Sequence, residues 1–363
     1  MVLYVLAIVG GIFGLVMGAD RFVNGAVTLA RGLGISSLIV GLTVVSLGTS
    51  LPELLVTVTA TLVGHPHVAV GNVLGSNIAN IGLILGVSSL VRPMVVHSQL
   101  LRREYPFLLV ITAVVWLMAS RGEIRRLDGV LLSAGLLLFL LLMVRAAKGG
   151  NEDFISRGST DPFDTTIRPL RSSVPNLVGG LIVLLTGSRL LIWGGVGFAH
   201  ALGIDDLVIG LTLMAVGTSL PELATTVAAT IKKEGDIAVG NVVGSNVFNT
   251  LGILGISAML RPLPVAADAL ARDFPVMFLA SVLLWPICRS WRRRLGRVNR
   301  WEGGALLAGY CLYLGVLFRV ISFCAYSYQL SYPVVAAESC PELEEVSDKS
   351  ALSVGPSYLI GIQ

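Results

Sequence analysis

The sequence predicts an all-α membrane protein of ten transmembrane helices, arranged as two inverted five-helix repeats. Three observations carry that prediction. The 363-residue chain is 54% hydrophobic and 13% charged, with a mean hydropathy of +0.82, a balance found in polytopic membrane proteins and not in soluble globules. The segment Gly48-Thr49-Ser50-Leu51-Pro52-Glu53 returns 169 residues later as Gly217-Thr218-Ser219-Leu220-Pro221-Glu222. Each copy sits in a unit with an odd number of apolar spans, which forces the two units into opposite orientations in the bilayer.

The spans fall at about 2–31, 37–62, 68–91, 105–120, 127–145, 174–200, 206–231, 237–260, 274–288 and 303–320. The first lacks a basic leader and continues through Asp20 and Arg21, so it reads as a span and not as a cleaved signal. The same 169-residue offset relates Asn72 to Asn241, Arg92-Pro93 to Arg261-Pro262, and Glu104 to Asp273. One register therefore holds across several spans without a gap. Residues 1–145 form the first repeat, 146–173 a cytoplasmic linker, 174–320 the second repeat, and 321–363 an acidic tail expected to be disordered.

Charge gives the orientation. With both termini outside, the inside loops hold 17 of the 26 Lys and Arg residues, including the cluster from Arg289 to Arg300. The outside loops hold Arg121, Arg125, Arg126, Arg261 and Arg272. Lys and Arg concentrate on the cytoplasmic side, so the linker is expected there. The same rule accounts for the Arg cluster without a nucleic-acid partner. The loop after the first motif, His65-Pro66-His67, is uncharged, whereas its counterpart begins Lys232-Lys233-Glu234, as opposite sides of a membrane require. The four cysteines, Cys288, Cys311, Cys324 and Cys340, have no metal-ligand spacing and read as packing or tail residues. His65 and His67 have no partner ligands nearby in the sequence and read as loop residues.

The chemistry lies in the duplicated motif. A carboxylate deep in a bilayer is costly and marks a functional site. Read as one helix, Ser46, Thr49, Ser50 and Glu53 share a face; Ala215, Thr218, Ser219 and Glu222 repeat the arrangement. Pro52 and Pro221 lack an N–H, which frees the carbonyls of Gly48 and Gly217. Carboxylate, hydroxyl and carbonyl oxygens suit a hard cation such as Ca²⁺ or Na⁺. In the third and eighth spans, Asn72, Ser76 and Asn80 are spaced by four, as are Asn241, Ser245 and Asn249. Beside them, Gly71 and Gly75, and Gly240 and Gly244, form a small-residue stripe that lets helices approach closely.

On these residues the chain resembles the sodium/calcium exchanger family, within the cation/calcium antiporter superfamily, in its compact prokaryotic form. The shared pattern is the pair of repeats running from Gly41 through Glu53 with Gly71 through Asn80, and from Gly210 through Glu222 with Gly240 through Asn249. The resemblance implies a ten-helix antiporter, not an enzyme, that uses alternating access, needs no cofactor, and carries Ca²⁺ and Na⁺ as its cargo. It implies that Glu53 and Glu222 bridge Ca²⁺, with the carbonyls of Thr49 and Thr218 beside it. Ser50, Ser219, Ser76 and Ser245 would serve Na⁺, with the carbonyls of Ser46 and Ala215, and Asn80 and Asn249 would complete the ring. Some relatives carry an acid at the position of Asn249, and potassium-dependent relatives use it; the amide argues against K⁺ co-transport. The proton-coupled branch has Glu after a Gly-Asn pair, whereas here Gly71-Asn72 is followed by Val73. The rival readings are H⁺ or K⁺ coupling on the same fold and, from another class, a cation channel. An intramembrane hydrolase would need a nucleophile–base set or a metal cluster in the spans, and neither is visible.

Overall fold

The computed structural model describes residues 1–96, 104–148, 170–202, 217–288 and 296–330. The chain divides into two units, residues 1–308 and 309–363. The second is described only over the final part of the last helix, which runs to Leu330. Residues 321–330, expected in the tail, are thus helical. The tail from 331 and the linker over 149–169 lie outside the described residues.

The first helix, α1, spans Val2–Leu33 and ends on Gly34 in the left-handed conformation, the usual glycine stop. Its 32 residues rise about 48 Å, more than a hydrocarbon core of about 30 Å. It packs antiparallel along α7 (Leu170–Ala201). Glycines permit the contact: a Cβ on Gly14 would lie 3.0 Å from Gly187 Cα, and one on Gly11 would lie 2.6 Å from the Leu191 nitrogen. The outer face of α1 carries exposed Leu3, Leu6, Val9, Phe13 and Val16, as lipid contact requires.

The second span is broken. It is made of α2 (Ser37–Thr49) and α3 (Leu51–Val63), bent by 47°. Ser36 caps α2 by accepting from the Leu38 N–H at 3.2 Å, and Gly41–Val45 within it form a π-turn. The third span, α4 (Pro66–Val91), carries a second π-turn at Asn80–Leu85. Then follow strand β1 (Met94–Val96), α5 (Glu104–Ala119), strand β2 (Glu123–Ile124) and α6 (Arg126–Lys148).

The second half continues past α7 with α8 (Leu220–Ile231), α9 (Gly235–Leu260) with a π-turn at Phe248–Ile253, and strand β3 (Leu263–Pro264). A π-turn at Ala269–Asp273 leads into α10 (Phe274–Cys288), followed by strand β4 (Gly296–Val298) and α11 (Arg300–Leu330). Among the described residues, α1, α4, α6, α7 and α9 are each long and apolar enough to cross a membrane, and α2–α3 adds a bent sixth. Helices α5 and α8 are shorter apolar helices.

The halves interlock at their strands. β1 pairs antiparallel with β4, Met94 opposite Val298, and β2 pairs with β3, Glu123 opposite Pro264. The core is built on α9, which is buried without interruption from Ile237 to Phe248. It crosses α2 at glycines: a Cβ on Gly240 would lie 2.9 Å from the Leu38 carbonyl. The stripe of Gly240 and Gly244 therefore does what its spacing predicts. No described residue lies within 4 Å of a Cβ on Gly71 or Gly75; residues 206–215, the sequence counterpart of the α2 segment, are outside the described set.

Candidate functional site

The broken span positions the first carboxylate. Ser50 leaves helical geometry at φ −83° and ψ 9°, and Ser219 does the same at φ −88° and ψ 6°. Pro52 and Pro221 follow in the first turns of α3 and α8, where an N–H has no helical partner to lose. Glu53 and Glu222 lie in the same first turns, at the electropositive ends of their helices. Ser46 and Thr49 thus belong to α2 and Glu53 to α3, not to one straight helix, because the Pro starts a new helix at the break. The Gly217 carbonyl accepts Ser188 Oγ at 3.3 Å. Ala19 occupies the position of Ser188 in the first half and has no hydroxyl to offer Gly48.

The two carboxylates are held reciprocally. Ser50 Oγ donates to Glu222 Oε1 at 2.8 Å, and Ser219 Oγ donates to Glu53 Oε1 at 3.1 Å. Each half therefore anchors the acid of the other. Both acids are 1% exposed, and Oε2 of each has no partner among the described residues. Thr218 Oγ1, Asn80 Oδ1 and both side-chain polar atoms of Asn249 are likewise buried and unpartnered. Two buried carboxylates, each with a free oxygen, are strongly unfavourable without a compensating cation.

The remaining predicted residues fall as follows. Ser245 Oγ lies 3.1 Å from Ser50 Oγ; the single Ser50 proton goes to Glu222, so Ser245 is the donor of this bond. Thr49 Oγ1 donates to Asn241 Oδ1 at 3.1 Å. Ser76 is buried. Ser46 Oγ is spent on the Leu42 carbonyl at 2.7 Å, and its own carbonyl accepts from the Ser50 N–H at 3.1 Å. Asn80 and Asn249 open the π-turns of α4 and α9 or lie one residue inside them, the kind of local register shift common at functional sites. Ala215 is outside the described residues. Among the described residues no group of three or more His, Cys, Asp or Glu could hold a metal; the polar atoms gathered here are two carboxylates with hydroxyl and amide oxygens.

Sequence reasoning missed Asn77 and Asn246 as centre residues. Asn80 Nδ2 donates to Asn246 Oδ1 at 2.9 Å, and Asn77 Nδ2 donates to Thr250 Oγ1 at 2.9 Å. The signal was present in the duplicated Gly75-Ser76-Asn77 and Gly244-Ser245-Asn246, but these residues lie off the stripe spaced by four. Asp20, inside the first apolar run, takes no part. It is exposed, paired with Lys232 Nζ and bonded to Asn24 Nδ2 at 3.2 Å. Arg31 pairs with Glu234 at 3.5 Å nearby. Burial pushes the Glu234 carboxyl above its usual range, against the pull of the Arg31 guanidinium.

Comparison with known proteins places these features in context. The family described as "Sodium/calcium exchanger protein" matches residues 3–145 and 172–319. "Inner membrane protein YrbG" of Escherichia coli (strain K12) is 38% identical over 328 residues, covering 88% of this chain and 98% of its own length. "Sodium/calcium exchanger MaX1" of Methanosarcina acetivorans is 35% identical over 352 residues, covering 87% and 99%. The solved structure of the sodium-calcium exchanger NCX_Mj, soaked with zero Na⁺ and Ca²⁺, superposes with a TM-score of 0.75 at 32% identity and covers 87% of this chain and 99% of that one.

Proposed function

Because the chain belongs to the sodium/calcium exchanger family, we propose that it is a secondary antiporter exchanging Na⁺ for Ca²⁺ across the cell membrane by alternating access. In this reading it has ten membrane helices in two inverted five-helix repeats. Its ions sit near the membrane midplane, between Glu53 and Glu222. Both termini face outside and the linker faces the cytoplasm. The reciprocal strand pairing of β1 with β4 and β2 with β3 supports the repeat arrangement. So does the recurrence of the break at Ser50 and Ser219.

One observation carries the assignment: two buried glutamates, each with one oxygen fixed by the other half's serine and one oxygen free of any described partner. Two carboxylates supply a formal charge of −2, which neutralises one Ca²⁺ or two Na⁺. Carboxylate, hydroxyl and amide oxygens suit these hard ions, whereas transition metals prefer imidazole or thiolate. Ca²⁺ and Na⁺ compete for the same oxygens, and that competition is the coupling. Glu53 and Glu222 take Ca²⁺ with the Thr49 and Thr218 carbonyls. Ser50, Ser219, Ser76 and Ser245 serve Na⁺ with the Ser46 and Ala215 carbonyls, and Asn80 and Asn249 complete the ring. The ions are cargo; no cofactor and no covalent chemistry are involved.

The test is Ca²⁺ uptake into proteoliposomes under imposed Na⁺, K⁺ or H⁺ gradients. Uptake driven by the Na⁺ gradient alone supports the assignment. Uptake driven only by H⁺, or requiring K⁺, replaces the coupling. Flux that neither saturates nor depends on a counter-ion makes the protein a channel.

A further inference from the structure

Among the described residues, two contacts that join the halves at the centre are each made once, although the repeat carries the residues to make each of them twice. Thr49 Oγ1 donates to Asn241 Oδ1. The same pair at the repeat offset is Thr218 and Asn72, and Thr218 Oγ1 is buried without a partner among the described residues. Asn80 Nδ2 donates to Asn246 Oδ1. The matching pair is Asn249 and Asn77, and there Asn249 Nδ2 and Asn77 Oδ1 are both buried and unpartnered. Each of these stranded atoms is thus the repeat mate of a satisfied atom in the opposite half.

The surrounding helices are one-sided in the same sense. α1 packs along α8, and Pro221, Thr225 and Ala229 on α8 are buried. Among the described residues α7 makes no comparable packing along α3. The counterparts there are less covered: Val56 is 38% exposed against 0% for Thr225, and Pro52 and Ala60 are half-buried.

We propose, on the antiporter reading above, that these are two alternative hydrogen-bond sets, one for each access state. Thr49–Asn241 and Asn80–Asn246 belong to the state described here; Thr218–Asn72 and Asn249–Asn77 belong to the state open to the other face. Asn72, Asn77, Asn241 and Asn246 are then positioning residues that exchange partners as the centre reorients. Asparagine suits the task because one side chain both donates and accepts. Asn72 Nδ2 donates to Thr57 Oγ1 at 2.9 Å, and Asn241 Nδ2 donates to Thr226 Oγ1 at 3.0 Å. Each amide is thus fixed on its own half, while its oxygen receives the threonine of the other half. Each state leaves buried atoms unpaired that the other state satisfies. The repeat matches these losses, so neither state is a deep trap.

The experiment reads the population of the second state by cysteine labelling, with Cys288, Cys311, Cys324 and Cys340 replaced by Ser. Thr225→Cys becomes reactive to N-ethylmaleimide when α1 leaves α8, and Val56→Cys reports the present state. Thr218→Val removes a hydroxyl that bonds no described residue, so a purely structural role leaves labelling unchanged. The exchange predicts that Thr225→Cys labelling slows about 2- to 10-fold, the population equivalent of one neutral hydrogen bond. Asn72→Ala slows it by a similar factor, and the double variant slows it no further than either single one, as coupled partners do. Thr49→Val acts in the opposite direction and speeds labelling. Labelling indifferent to both Thr218→Val and Asn72→Ala, or single effects that multiply in the double variant, overturns the exchange and leaves the antiporter reading standing. If Thr225→Cys is never labelled in Na⁺ or Ca²⁺ while Val56→Cys is, alternating access fails and the exchange fails with it.

Discussion

Glu53 and Glu222 are each tied at one oxygen and free at the other. A bond from a hydroxyl to a carboxylate contributes about 1.5–3 kcal/mol, and here it also aims the free oxygen. Ser50→Ala and Ser219→Ala should each weaken Ca²⁺ binding by roughly 10- to 100-fold, as read by Ca²⁺ titration of the purified protein. The duplicated acids, prolines and serines were legible in the sequence because the 169-residue register marks them. That Ser50 serves Glu222 and not its own neighbour Glu53 was not legible, because that bond depends on how the halves meet in space. Asn249 makes a second prediction. With an amide at both Asn80 and Asn249, the ring carries only the two glutamate charges, and each buried cation needs compensation. Replacing external K⁺ by an inert organic cation should leave Na⁺-coupled Ca²⁺ flux unchanged. Asn249→Asp should alter the ion dependence more than it alters thermal stability.

Among the elements, the pairing of α1 with α7 depends on bare backbone at Gly14 and Gly187. Gly187→Leu drives a side chain into α1, and overpacking of this kind costs about 1–3 kcal/mol. Its thermal midpoint in detergent should fall clearly. Gly179→Leu on the same helix, with no described residue within 4 Å of its Cβ, should leave that midpoint nearly unchanged. Helix positions followed from the apolar runs, but three features did not. The break at Ser50 was read as a freed carbonyl within one helix, because a Pro marks a lost bond equally whether it kinks one helix or begins another. Strands β1 to β4 are two or three residues long, too short to show an alternating pattern. α11 runs on to Leu330 because Ile321 through Leu330 contains neither Gly nor Pro; the next proline is Pro333.

For the whole molecule, the charge distribution predicts a topology. Ser159 lies in the linker, which the Lys and Arg asymmetry assigns to the cytoplasm. In a cysteine-free background, Ser159→Cys should resist an impermeant thiol reagent applied to intact cells and react once the membrane is opened. Labelling from outside would reverse the orientation. The helical, many-span character was legible in the apolar runs, and the 169-residue register further predicts that the two odd-span units are inverted. The sequence could not reveal which of the repeat-related pairs are bonded, because both halves carry the same residues. The central claim is that two buried glutamates jointly hold the transported cation. At an effective dielectric of about 20, a unit charge at contact range is worth about 4 kcal/mol, so losing either acid should be severe. The most direct test is Na⁺-gradient-driven Ca²⁺ uptake into proteoliposomes by the parent protein, Glu53→Gln and Glu222→Gln. The account predicts robust uptake by the parent and a loss of about 100-fold or more in each variant, with normal membrane insertion. Near-normal uptake by either variant would contradict it.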